Sequence, residues 1–162
     1  MSDDQRETED DLALHEQVEQ ILRQVRNEPP NILKTLLAIQ DHVGHVPVDA
    51  IPDIAHSLRT STAQIAGVLS YYPELRVTAP GRHLIRICMG ESCYANGCSR
   101  VLRELQNYLR ADVGETTPGA KFTLATMSCA GNCAVSPTVL IGRDLYGRVL
   151  PSQVESMLEQ YR

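Results

Sequence analysis

Four of the five cysteines in this 162-residue chain fall into two close pairs, Cys88-x4-Cys93 and Cys129-x3-Cys133. Thirty-five residues lie between the pairs. Four thiolates can hold a 2Fe-2S cluster, a cubane iron–sulfur cluster or a structural zinc ion, and the spacing is compatible with each. A redox dithiol of the C-x-x-C type would need a spacing that is absent, although a plain thiol–disulfide pair and inert buried cysteines are further readings. Gly90, Gly97 and Gly131 sit in the cysteine segments. They allow close backbone approach, so N–H groups could point at sulfur and offset the negative charge of a cluster. The fifth cysteine, Cys98, reads as a small packing residue at a helix start, with a spare ligand as the alternative. Glu91, between two ligand candidates, reads either as a charge that disfavours reduction or as a solvated loop carboxylate.

Other chemistry is thin. His42 and His45 flank Gly44 at an expected helix end, where exposure or a favourable C-terminal position explains them better than metal binding. His83 opens a strand, and His15 and His56 lie on helices explained by packing. No GxGxxG follows a strand and no P-loop is present. The chain therefore carries no nucleotide motif, and no catalytic residue is singled out.

The elements that must position the cysteines can be read from periodicity. Residues 1–11 are acidic and lack an apolar residue after Met1, so a disordered tail is expected. Leu14, Val18, Ile21, Leu22 and Val25 predict a helix over 12–27, stopped by Pro29-Pro30. A second helix is expected over 31–43 on Ile32, Leu33, Leu36, Leu37 and Ile39, closed by Gly44. A third should span 48–58, with Pro52 in its first turn. A fourth starts at the capping box Ser61-x-x-Gln64 and stops at Pro73. Residues 12–77 thus read as a helical bundle domain, followed by a linker at Thr78–Gly81.

Beyond the linker the pattern changes. Strands are expected at 83–88, 122–126 and 138–141, and a helix at 95–110. Asp144–Gly147 reads as a turn, with a short strand at 148–150 after it. A last helix is expected from a capping box at Ser152-x-x-Glu155. Residues 81–162 then form a β-α-β-β-α unit of α/β class. Each cysteine pair follows the end of a strand. If the first two strands are parallel neighbours, all four thiols meet at one edge of the sheet.

Composition narrows the function classes. Fifteen Lys and Arg stand against 20 Asp and Glu, a net charge of −5. That excess of acid argues against a duplex-binding surface. With no Trp and one Phe, a base-stacking platform is also disfavoured. No apolar run approaches a membrane span, and the acidic start is unlike a signal peptide. The cytoplasm is the expected compartment. Disulfides rarely persist there, which favours ligand or redox roles for the cysteines.

The cysteine pattern, with Pro137 soon after, resembles the thioredoxin-like 2Fe-2S ferredoxin family, which includes the 24 kDa subunit of respiratory complex I. Gly44-His-Val-Pro47, Ala50-Ile51, Ile54-Ala55, Ile65-Ala-Gly-Val68, Tyr71-Tyr72 and Tyr146-Gly147 extend the resemblance to about residues 12–160. It implies a helical N-terminal domain followed by a thioredoxin-like domain. It also implies one 2Fe-2S cluster held by Cys88, Cys93, Cys129 and Cys133 as iron ligands. The stretch Cys88-Met-Gly-Glu-Ser-Cys93-Tyr-Ala-Asn-Gly97, with Pro80-Gly81-Arg82-His83, resembles the gamma subunit of NAD-dependent formate dehydrogenases. This implies an electron-transfer subunit beside a flavin and NAD-binding beta subunit, with a molybdopterin alpha subunit in the same complex. FMN, NAD and the molybdenum cofactor belong to those partners. A complex I subunit, or the diaphorase subunit of an NAD-linked hydrogenase, is the nearest alternative. A zinc-stabilised binding module and a stand-alone thiol oxidoreductase are alternatives of other classes.

Overall fold

The computed structural model describes residues 3–25 and 31–161. The chain divides into two compact units, one ending at Ala79 and one beginning at Pro80.

The first unit is helical: α1 (Asp3–Val25), α2 (Ile32–Val43), α3 (Ile51–Ser57) and α4 (Thr62–Tyr71). Helix α1 begins at Asp3, so residues 3–11, expected to be disordered, are helical. Charge alone suggested disorder. The segment contains no Pro or Gly, the residues that most oppose a helix. The expected stop at Pro29-Pro30 lies outside the described residues.

Helix α2 is capped by the Asn31 side chain, which accepts from the Lys34 N–H at 2.9 Å, and is closed by Gly44. It buries Thr35, Leu36, Ile39 and Gln40, while Leu37 turns outward. Gln40 explains the swap. Its side-chain amide donates to the Glu74 carbonyl at 2.9 Å and its side-chain oxygen accepts from the Arg76 N–H at 2.7 Å. One buried amide thereby ties the segment after α4 to α2. A one-turn 3-10 segment, Val48–Ala50, leads into α3, which tolerates Pro52 in its first turn. The Ser61/Gln64 capping box at the start of α4 is formed. The core of this unit includes Val18, Leu36, Ile39, Ile54 and Ile65.

His45 lies in the turn after α2. Burial pushes its imidazole below the ordinary 6.5, and the nearby Arg76 adds to this, while a backbone hydrogen bond at Val43 opposes it. Between the lowered folded value and 6.5 the unfolded chain binds more protons. The stabilisation is therefore full above 6.5 and is lost as pH falls through the folded value. Denaturant unfolding should show a lower midpoint at about pH 5.5 than at about pH 7.5, and His45→Gln should flatten this difference. An unchanged slope in the variant would assign the pH dependence to other groups.

The second unit is a four-stranded sheet in the order β2-β1-β3-β4. Its elements are β1 (His83–Cys88), α5 (Glu91–Ala95), α6 (Cys98–Leu109), β2 (Phe122–Met127), β3 (Val139–Ile141), β4 (Asp144–Tyr146) and α7 (Val154–Leu158). Strands β1 and β2 are parallel, His83 opposite Phe122 and Cys88 opposite Met127. Strand β3 runs antiparallel to both β1 and β4.

Two expectations are corrected here. Asp144–Tyr146 is a strand, not a turn, and residues 148–150 form none. The hairpin turns at Gly142-Arg143, where Gly142 has φ +60°, a left-handed value that glycine adopts freely. The final helix does not start at a Ser152/Glu155 box. Ser152 lies within a 3-10 turn, Pro151–Gln153, and the Gln153 side chain accepts from the Leu150 N–H at 2.8 Å.

Helix α6 buries Cys98, Val101, Leu105 and Leu109, one stripe at helical spacing, in the core of this unit with Ile85, Ile87 and Leu124. Leu105 is fully buried. Leu105→Ala should cost roughly 2–5 kcal/mol, as large-to-small core changes do. Denaturant unfolding of the full chain would read this, and a loss well below that range would mean the site collapses around the gap.

Candidate metal centre

The parallel pairing of β1 and β2 places their C-terminal ends side by side. Cys88 is the last residue of β1, and Cys129 follows β2 by two residues. Cys93 sits within the short helix α5, which the expected 95–110 helix did not include. Gly97 separates α5 from α6 with φ +87°, so the helical region is two pieces. Cys133 opens a 3-10 turn, Cys133–Val135.

The four thiols are brought together. Cys88 and Cys93, and likewise Cys129 and Cys133, lie close enough for their charges to act on one another. Cys88 and Cys93 are buried, Cys129 and Cys133 exposed. With Met89, Gly90, Glu91, Ser92 and Ser128 they line one cleft.

Backbone donors surround the sulfurs. The Ala130 N–H donates to Cys88 Sγ at 3.4 Å and the Gly131 N–H to Cys129 Sγ at 3.4 Å. Gly90 and Thr138 supply further backbone donors to Cys88 and Cys93. Burial pushes the Cys88 thiol up, but the Gly90 and Ala130 donors and the neighbouring thiols more than reverse this, leaving it below its ordinary value. Cys93 is held above its ordinary value by burial and by Cys88. Cys133 is raised by the charge of Cys129. Thiolates held this close repel one another and need a cation between them to ionise together.

The strand ends are fixed by the sheet. The Cys88 N–H donates to the Thr138 carbonyl at 3.0 Å, and the Met89 N–H to the Met127 carbonyl at 2.9 Å. At Gly90 the two loops approach closely. A Cβ there would lie 2.9 Å from the Ser128 carbonyl oxygen and 3.6 Å from Cys88 Sγ. Gly131, also read as an approach point, faces open space instead and carries φ +70°.

Cys98 does not line the cleft. It is fully buried at the start of α6, and its thiol donates to Met89 Sδ at 3.7 Å. Burial raises its proton affinity, as the packing reading expects. The histidines are elsewhere. His42 Nδ1 lies 2.9 Å from the Ala38 carbonyl oxygen of its own helix, and His83 packs against the rings of Phe122 and Tyr161. Among the described residues, no three Cys, His, Asp or Glu side chains gather about a single point as one mononuclear ion requires. Two thiol pairs border one cleft, one pair buried and one exposed.

Sequence reasoning missed three polar residues around the cleft. Ser92, Asn96 and Ser136 hydrogen-bond to one another although more than 40 positions separate Ser92 from Ser136. Their types carry no metal signal, and only the folded contacts reveal them.

Residues 18–162 match the family described as thioredoxin-like 2Fe-2S ferredoxin. The chain is 30% identical over 148 residues to the NADP-reducing hydrogenase subunit HndA of Solidesulfovibrio fructosivorans, covering 91% of this chain and 86% of that protein. It is 36% identical over 129 residues to an NADH-quinone oxidoreductase subunit of Pseudomonas aeruginosa, covering 80% of this chain and 78% of that protein. A solved NAD+-reducing NiFe hydrogenase in its air-oxidised state shares the fold, with a TM-score of 0.66 at 19% identity. That match covers 84% of this chain and about a quarter (24%) of the solved chain.

Proposed function

This chain belongs to the thioredoxin-like 2Fe-2S ferredoxin family, and from that premise we propose that Cys88, Cys93, Cys129 and Cys133 ligate its one 2Fe-2S cluster and that the chain is an electron-transfer subunit of an NAD-linked oxidoreductase complex. The observation that carries the ligand assignment is that four thiols line one cleft at one sheet edge, with backbone N–H donors on Cys88 and Cys129. When bound, the cluster supplies one-electron oxidation and reduction. The chain's own residues supply the rest. The cysteines fix the irons, the N–H groups of Ala130 and Gly131 stabilise negative charge on sulfur, and the buried pair shields one side from water. No substrate site is needed for that role.

The relatives named above are subunits of a hydrogenase and a quinone oxidoreductase, and they support the coarse reading. The finer reading, formate dehydrogenase with a molybdopterin alpha subunit, rests on the sequence of Cys88–Gly97 and Pro80–His83 alone. We place the helical region, 12–77, as the docking element for the flavin and NAD-binding subunit, and the 81–162 region as the cluster carrier. No described helix is long and apolar enough to cross a membrane, and the cytoplasm is our proposed compartment.

Anaerobic purification of the tagged full chain from its native host tests both levels. About two irons and two sulfides per chain, with an EPR signal only after dithionite reduction, supports the ligand assignment. Colourless protein with stoichiometric zinc would overturn it. A co-purifying flavoprotein supports the coarse reading, and a molybdopterin subunit beside it the finer one.

A further inference from the structure

Helix α5 carries Cys93 but has only five residues, too few to persist without tertiary support. The Cys133 turn is shorter still, three residues, and Cys133 is exposed. Between them runs a directional chain of hydrogen bonds. Asn96 Nδ2 donates to the Ser92 carbonyl at 2.8 Å and to Ser136 Oγ at 2.9 Å. Ser136 Oγ is 3.1 Å from Ser92 Oγ, which donates to the Cys133 carbonyl at 3.3 Å. One proton arrangement satisfies every link: with Asn96 donating to Ser136 Oγ, the Ser136 hydroxyl is free to donate to Ser92, and Ser92 to Cys133. The Ser136 N–H also donates to the same Cys133 carbonyl, at 3.3 Å.

We propose that Ser92, Asn96 and Ser136 form a polar clasp that fixes the Cys133 turn against α5 and so sets how tightly the site retains iron. They are positioning residues, and the iron-retention part of the proposal rests on the four-cysteine ligand assignment. The clasp holds one thiol from each side of the cleft, Cys93 and Cys133, at a fixed separation. Links in a hydrogen-bonded chain reinforce one another, so removing one member should weaken the others.

The test is a double-mutant cycle on the full chain. Ser92→Ala, Ser136→Ala and the double variant are compared for the rate at which visible absorbance is lost to a ferrous chelator. A neutral hydrogen bond predicts release about two- to tenfold faster in each single variant. Coupling predicts that the double variant is little faster than Ser136→Ala alone. Ser136→Thr, which keeps the hydroxyl, should restore the wild-type rate. The clasp is overturned by wild-type release from Ser136→Ala, or by single effects that multiply fully in the double variant. General destabilisation is separated by thermal unfolding. A fall in Tm that fully accounts for the faster release would also overturn it.

If the wild-type chain holds no iron, the ligand assignment fails, and amide hydrogen exchange on the reduced full chain decides the clasp. Faster exchange confined to the 91–97 and 132–137 segments in Ser136→Ala supports it, and unchanged exchange there sinks it.

Discussion

Cys88→Ala should leave a colourless chain, its iron falling from about two atoms to near none, while Cys98→Ala keeps both. Cys88 is the hub of the site. It lines the cleft with Cys93 and Cys129 and accepts from the Ala130 N–H. Its position at the end of β1 is locked by the Thr138 carbonyl, so no shift of the strand can bring another sulfur into its place. Cys98 is as deeply buried, but its thiol is spent on Met89 at the start of α6. Iron and sulfide assays with EPR after reduction read both variants. Full iron in Cys88→Ala, or none in Cys98→Ala, would reverse the assignment of these two sulfurs.

Gly90→Ala should impair cluster incorporation with every ligand intact. The added methyl would stand 2.9 Å from the Ser128 carbonyl oxygen, a backbone atom next to Cys129. Gly90 has φ −62°, a value alanine adopts without strain, so the effect is purely steric. Relief requires the two cysteine loops to part. Overpacking of this kind costs about 1–3 kcal/mol, roughly five- to 150-fold in the population of the closed arrangement. Reconstitution of the reduced chain with iron and sulfide, followed by visible absorbance, measures it. Gly67→Ala is the matched control: its methyl meets nothing within 4 Å in α4, and helix propensity favours the change. Equal reconstitution of the two variants would mean the loops yield more easily than their backbone contact suggests.

What was legible in the sequence was whatever depends on neighbours along the chain. The Ser61/Gln64 box, the Gly44 cap, the stripe through Val101, Leu105 and Leu109, and the whole of β1 follow from local chemistry and periodicity. The four candidate cysteines stood out because few residue types do what a thiolate does. Misreadings arose where a signal had two meanings. Gly147 suggested a turn, but a Cβ there would meet the Val135 carbonyl at 2.9 Å, so its smallness serves a close approach. The turn belonged to Gly142. Charge density at the N-terminus suggested disorder, yet the same residues extend α1. Helix α5 was hidden because five residues carry too little periodicity to register. The clasp was hidden because its partners meet only in the folded chain.

The parallel pairing of β1 with β2 also sets an order of events during synthesis. Antiparallel neighbours could have met through a short hairpin, but parallel ones need the α5–α6 crossover between them. The ribosome therefore releases Cys93 thirty-six residues ahead of Cys129, a delay of about 2–7 s at ordinary elongation rates. Cys88 finds its backbone partner at Thr138 later still. For that interval the first two thiols have neither their sheet edge nor their companions. The nascent chain is then an incomplete chelator in a cell that holds competing metals and oxidants. A site that needs all four thiols therefore cannot close until the second strand has been made, and a cell making this protein has reason to keep the unfinished pair reduced until then.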